Sequence, residues 1–231
     1  MTNKYYNDAI IGNKKIIASY TEKGELQRLC YPEVDGRQFI DYFQTGVKIN
    51  DSNLIYLHQD INNKYSQEYI ENTNILKTNI KNTYFNLKIE QTDFALIDQN
   101  IIVKKYIFKN NNSVDLDTKF IINSKILSND LERFGSRIVD KGIIQYNHNY
   151  AMAIFSNKNL YGHKLNDVQS TLQSAVIMDK DYIGMSNEIA ISYNIGVIHP
   201  GEQQELNIFI LVNENHDIEE KIQKCVKLNT D

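Results

Sequence analysis

A large antiparallel β-sandwich is the fold this chain predicts, on three observations. Apolar residues alternate with polar ones at a period of two almost from end to end, turn residues recur about every 10 residues, and no long helical pattern interrupts them. Successive side chains of a strand point to opposite faces, so this alternation is the mark of strands with one buried face. An α/β architecture does not fit, because it needs helices between its strands.

Taken in order, Glu22-Lys23-Gly24 marks an early turn, and Phe85, Leu87 and Ile89 then alternate with polar neighbours. The apolar run Ile101 to Phe108 follows and ends in the loop Lys109 to Ser113. Leu116, Thr118, Phe120 and Ile122 alternate next, Asp140-Lys141-Gly142 turns, and Ala151 to Phe155 form another apolar run. Late in the chain Ile189, Ile191, Tyr193, Ile195 and Val197 alternate, His199-Pro200-Gly201-Glu202 turns, and Leu206, Ile208, Ile210 and Val212 alternate again. Only two prolines and ten glycines are present, but asparagine is abundant, as in Asn62-Asn63 and Asn110-Asn111-Asn112. Asparagine tolerates left-handed turns and takes glycine's place between strands. At the C-terminus Asp217 can cap a helix in which Ile218, Ile222, Cys225 and Val226 form one apolar stripe. The expected organisation is a sandwich over 1–215 and the start of a linker helix over 216–231.

The chain has 231 residues, with 25 Lys+Arg against 29 Asp+Glu for a formal charge of −4, and no basic block. A nucleic-acid partner is therefore not expected, because phosphate recognition wants a basic stripe. Hydrophobic residues make up 42%, enough for a chain of this length to bury roughly 70% of its unfolded surface. No apolar run approaches the length of a membrane span and the opening Met1-Thr2-Asn3-Lys4 has no apolar signal core, so no membrane partner and a cytoplasmic location are expected. Cys30 and Cys225 lie far apart without metal-site spacing and read as reduced structural residues. His58, His148, His163, His199 and His216 are scattered; neither a metal nor another cofactor is expected.

No nucleophile elbow, phosphate loop or dinucleotide fingerprint occurs, and Gly12-Asn13 and Gly135-Ser136 read as turns. Glycosidic chemistry needs two carboxylates facing each other across a cleft. Asp41, Asp93, Asp130, Glu132 and Glu188 are available, but spacing pairs none of them, and they read as solvated loop residues. Aromatic surface is the suggestive feature: 15 Tyr and 9 Phe with no Trp. The densest cluster of aromatic and hydrogen-bonding groups is Tyr31-Pro32-Glu33-Val34-Asp35-Gly36-Arg37-Gln38-Phe39, read either as packing or as a sugar-contacting loop.

That segment and its flanks resemble a known family. Ala9-Ile10-Ile11-Gly12-Asn13-Lys14, Tyr20-Thr21-Glu22-Lys23-Gly24-Glu25-Leu26 and Leu29-Cys30-Tyr31-Pro32 resemble the opening of glycoside hydrolase family 15 enzymes, with their glycine turn, hairpin and LxxLxxP stretch. Tyr69 to Thr78 is similar to the family's strand with a T-N-x-L-x-T pattern, and Thr92-Asp93-Phe94 to its TDF. Ile195 to Glu202 resembles its PGE turn before the last strand. Lys14 stands where a second glycine is usual, and Glu33-Val34 departs from the pattern after the proline.

The resemblance implies the N-terminal super-β-sandwich, of galactose mutarotase-like type, of a bacterial-type glucoamylase, glucodextranase or trehalase. In that family the catalytic glutamates lie on a separate (α/α)6 barrel, so the catalytic residues expected here are none. The implied partners are that barrel and the parent's α-glucan or maltooligosaccharide substrate. Tyr31, Pro32, Asp35, Gln38 and Phe39 are the expected loop at the interdomain or cleft rim. Leu26, Leu29, Ile218, Ile222 and Val226 are the expected solvent-facing apolar patch for the barrel, or for a homodimer of the isolated chain. Two rival readings stay open: a stand-alone carbohydrate-binding module, and an aldose-epimerase-type enzyme in which His58, His148, His163 or His199 faces a carboxylate in a concave face.

Overall fold

The computed structural model describes residues 8–32, 36–128, 134–174, 176–214 and 218–228, with side chains in the last segment up to Cys225. Asp35, Asp130, Glu132 and Asp217 lie outside the described residues, as does the side chain of Val226. In chain order the strands are β1 (Ala9–Gly12), β2 (Ile17–Tyr20), β3 (Leu26–Tyr31), β4 (Arg37–Gln38), β5 (Ile40–Ile49), β6 (Ile55–Tyr56), β7 (Asn63–Tyr69), β8 (Leu76–Asn82) and β9 (Leu87–Ala95). They continue as β10 (Ile101–Asn110), β11 (Leu116–Ile126), β12 (Gly135–Val139), β13 (Gly142–Tyr146), β14 (Tyr150–Ser156), β15 (Gly162–Lys164), β16 (Ile183–Met185), β17 (Glu188–Ile198) and β18 (Gln203–Glu214). Two helices complete the fold, α1 (Gln169–Leu172) and α2 (Ile218–Leu228).

The strands form two nine-stranded antiparallel sheets. One runs β1-β2-β3-β5-β11-β17-β15, with β4 beside β3 and β6 beside β5; the other runs β16-β12-β13-β14-β18-β10-β9-β8-β7. The inner faces supply the main core, in which Phe43, Phe120, Tyr193, Phe108, Ile154 and Ile210 are all buried. The predicted alternation along β11, and along β17 as far as Ile195, is the inward set of this core; past a register shift at 194–196 Val197 turns outward, 46% exposed, and Ile198 takes the buried place. The outer faces are also covered. Val168, Leu172 and Ile177 pack on Ile121 and Ala190 of the first sheet, and Ile218, Ile222 and Cys225 of α2 pack on the second.

The two late strands do not pair with each other. β17 lies in the first sheet beside β11, whereas β18 lies in the second between β14 and β10. The turn at 199–201 thus carries the chain from one sheet to the other. Gly201 adopts φ 81° there, and its amide donates to the Asn110 carbonyl oxygen at 2.8 Å. The buried Asn110 side chain donates to the Ile198 and Val114 carbonyls, fixing the crossover. Asn50, Asn72 and Asn86 are left-handed, as expected of asparagine standing in for glycine.

Three expectations are corrected. Leu26 and Leu29 are 1% and 0% exposed and belong to the main core, so they form no outward patch. Their strand β3 is an inner strand of the first sheet, covered by the second. The stripe Ile218, Ile222 is present on α2, but it faces its own sandwich: both residues are buried against β14 and β18. Asp93, read from sequence as a solvated carboxylate, lies in the interior.

Candidate functional site

The predicted loop sits where β3 ends. Tyr31 is half-buried; its hydroxyl accepts from Asn100 Nδ2 at 3.2 Å and lies 3.4 Å from Asn213 Oδ1. Burial pushes the Tyr31 hydroxyl above its ordinary pKa, and the nearby Glu214 carboxylate adds to the effect. The Tyr31–Pro32 peptide is cis. Phe39 is fully buried and packs edge-on against Tyr31 and Tyr150 at 6.3 and 5.6 Å. The Arg37 guanidinium lies over the Phe39 and Phe134 rings and donates to the Leu127 carbonyl. Asn213 also accepts from Lys221 of α2 at 2.7 Å, which ties the helix to the same end of the sandwich.

Gln38 is spent inside the protein. Its Oε1 accepts from the Leu29 amide at 2.8 Å, and its Nε2 donates to the Ile40 and Gln27 carbonyls at 2.9 and 3.3 Å. The side chain replaces strand pairing that the two-residue β4 cannot supply, so Gln38 has no amide group to offer a sugar.

Sequence reasoning missed a polar network between the sheets. Lys104 Nζ lies 2.6 Å from Asp93 Oδ1, with the two residues 1% and 0% exposed. The other carboxylate oxygen accepts from Gln91 Nε2, which also donates to the Gly24 carbonyl; Gln91 Oε1 meets His58 Nε2 at 3.0 Å. From the opposite sheet the Tyr20 ring lies 4.7 Å from the ammonium, and Glu25 is buried nearby with Gln59 donating to it. Burial raises the Asp93 pKa despite the lysine beside it, and lowers that of Lys104 despite the carboxylate. Burial, helped by the Lys104 charge, pushes His58 down to about 3, so this imidazole stays neutral. The groups resemble those of an active site, but substrate has no access to residues so completely enclosed.

Among the described residues the other histidines make no such cluster. His199 faces Asp115 at 2.9 Å, but both are exposed at the crossover turn. His163 bonds the Asp181 carbonyl through Nε2. Asp41 pairs with Lys125, and Glu188 accepts from the Tyr42 hydroxyl. Both cysteines are free thiols, with Cys225 pushed up to about 11 by burial. Among the described residues no group of three or more His, Cys, Asp or Glu can hold a metal ion, and no helix is long and apolar enough to cross a membrane.

Comparison with known proteins places this geometry. No family model matches the chain. The uncharacterized glycosyl hydrolase MJ1610 of Methanocaldococcus jannaschii is 27% identical over 217 residues, which cover 89% of this chain and 34% of that protein. The chain thus spans about a third of the length of this curated relative. Among solved structures, a bacterial glucoamylase complexed with acarbose superposes with a TM-score of 0.73 at 14% identity, over 92% of this chain and 33% of that one. A GalM/aldose epimerase homologue from C. elegans superposes with a TM-score of 0.59 at 10% identity, over 89% of this chain and 98% of that one. The chain therefore has the large sandwich fold shared by galactose mutarotase-like proteins and one part of a glucoamylase, and it is similar in sequence to part of a glycosyl hydrolase.

Proposed function

We propose that this chain is the non-catalytic sandwich domain of a glucoamylase-like glycoside hydrolase acting on α-glucans, packing against a separate catalytic domain and supporting its folding. The observation that carries this reading is the pattern of coverage. The better superposition, at 0.73, is to one third of a bacterial glucoamylase chain, and the sequence relative likewise extends well beyond the match. The stand-alone epimerase homologue, matched along nearly its whole length, superposes less well.

The interior chemistry supports the same reading. Anomeric proton transfer needs an acid and a base that reach the sugar. His58, Glu25 and Asp93 are walled in, and His199 and Asp115 are both exposed at the crossover turn. At the Tyr31 end the Gln38 side chain is engaged by backbone groups, and among the described residues of the loop Tyr31 and Pro32 are the ones this reading offers to a cleft rim.

The test is glucose release from maltose, maltoheptaose, trehalose and soluble starch by the purified chain, with polarimetry of α-glucose alongside. The reading predicts neither hydrolysis nor accelerated mutarotation. Turnover of any glucan by this chain alone overturns it, and faster mutarotation restores the epimerase alternative. In a full-length enzyme carrying this domain, Tyr31→Ala is expected to raise the Michaelis constant for maltooligosaccharides; an unchanged constant removes the loop from the cleft.

A further inference from the structure

The apolar surface expected of a domain that packs against another is present, but on different residues from those the sequence singles out. Tyr161, Val176, Met178, Tyr182, Ile183 and Met185 are half to three-quarters exposed, from 51% for Val176 to 72% for Met185. They gather where both sheets end, at the three-residue edge strands β15 and β16. Tyr161 and Met178 line a groove of about 380 Å3 with Tyr182 and His163, and a neighbouring one of about 110 Å3 with Val176. Tyr182 rests on the His163 ring at 5.0 Å, and its carbonyl accepts from the Ile138 amide.

Ile183 and Met185 continue the surface around the edge. Gly184 between them faces Leu165, so the two flanking side chains point to the other side of the strand. There they lie opposite Arg137 and Gly135 of β12, and Arg137 pairs with Glu219 of α2. Of the other apolar residues at least half exposed, Ile61, Tyr84, Ile97 and Val114 lie in separate turns and loops, and Ile10 sits on edge strand β1, where its backbone is bonded by the Tyr69 hydroxyl. Single residues of that kind are ordinary; the six gathered around the β15–β16 edge, at roughly 100–150 Å2 apiece, expose on the order of 700 Å2 between them on the two sides of β16.

We propose that the surface from Tyr161 through Val176, Met178 and Tyr182 to Ile183 and Met185 is the face on which the sandwich docks the second domain of a longer glycoside hydrolase polypeptide. This rests on the function proposed above. The area lies within the 600–1,500 Å2 range of contacts between domains of one chain. The occupant follows from coverage: about two thirds of both the M. jannaschii relative and the glucoamylase lies outside the match, whereas the epimerase homologue has almost nothing beyond it.

The test compares methionine oxidation by dilute peroxide in two samples: the isolated 231-residue chain, and a polypeptide in which it replaces the matched part of the M. jannaschii protein. Met178 and Met185 are expected to oxidise at least tenfold more slowly in the two-domain polypeptide. The double variant Met178→Asp, Ile183→Asp is expected to let its domains separate, read as a larger radius in X-ray scattering. Domains that stay associated while Met178 and Met185 oxidise at the isolated rate overturn this face but leave the proposed function standing. Domains that never associate overturn both. Protection that rises with the concentration of the isolated chain and vanishes in the double variant makes a second copy the occupant. Protection by maltoheptaose makes the surface a glycan site; either result overturns the proposal.

Discussion

Replacing Lys104 with methionine removes the cation from the buried pair and leaves Asp93 without its partner between the sheets. The two residues sit directly opposite each other in the β9–β10 register, 2.6 Å apart at the side-chain tips and almost wholly enclosed. Breaking such a pair by removing one member costs about 3–5 kcal/mol, because a buried charge is left uncompensated. For a chain of this size that is a fall in melting temperature of roughly 6–20 °C. The pH dependence has a definite sign. Burial already holds the Asp93 pKa above its ordinary range, and loss of Lys104 raises it further. Below about pH 3.9 the carboxyl is protonated in both folded and unfolded chains, so the penalty is small there and grows as pH rises through the raised folded value. Urea unfolding followed by far-UV circular dichroism at pH 4.5 and 7.5 measures both numbers. The double variant Asp93→Leu, Lys104→Met should recover most of the loss, since apolar pairs of similar volume replace buried ion pairs without penalty. A Lys104→Met chain as stable as the parent at pH 7.5, or a deficit that grows on acidification, refutes the reasoning.

Three further outcomes are expected. His58 is held near a pKa of about 3 against about 6.5 when unfolded, so its contribution is complete above pH 6.5 and lost as pH falls from there toward 3, by up to about 1.4 kcal/mol per unit; urea titrations of His58→Gln should show a shallower acid limb than the parent. Gln38→Ala strands the Leu29 amide and the Ile40 carbonyl in a half-buried site, for a loss of about 1–3 kcal/mol in chemical denaturation. Ile218→Asp places a carboxylate against Ile101, Phe209 and Leu211; it should detach α2, seen as faster proteolysis after Glu214 and increased dye binding to the uncovered sheet.

The architecture was legible because period-two alternation survives in the strands that carry the core. The runs at 189–197 and 206–212 correspond to β17 and β18, and the Asn-rich loop at 110–112 marks the crossover that Asn110 anchors. Which sheet each strand joins was not legible. A short turn joins partners or crosses between layers equally well, and here the buried Asn110 decides. The stripe on α2 was visible, but a helix stripe does not say what covers it, and Ile218 and Ile222 turn onto their own sheet. Leu26 and Leu29 were expected to face a barrel through the family resemblance, yet they lie under the second sheet.

The interior network left a signal that was passed over. Leu87, Ile89, Gln91 and Asp93 share one parity, as do Ile102, Lys104, Tyr106 and Phe108. A lysine and an aspartate falling on the inward parity of adjacent strands points to a buried pair. The apolar edge at 176–185 gave no such warning, because its residues follow neither a period of two nor 3.6 and become a surface only where the two sheets end together.

The central claim is that this sandwich supports a catalytic domain and does not itself act on a substrate. Differential scanning calorimetry of the M. jannaschii glycosyl hydrolase, intact, with the matched part deleted, and with this chain in its place, tests that claim most directly. The account predicts that deletion lowers the unfolding temperature of the remaining part and that this chain restores it in one cooperative transition. A remaining part that unfolds at the same temperature in all three polypeptides contradicts it.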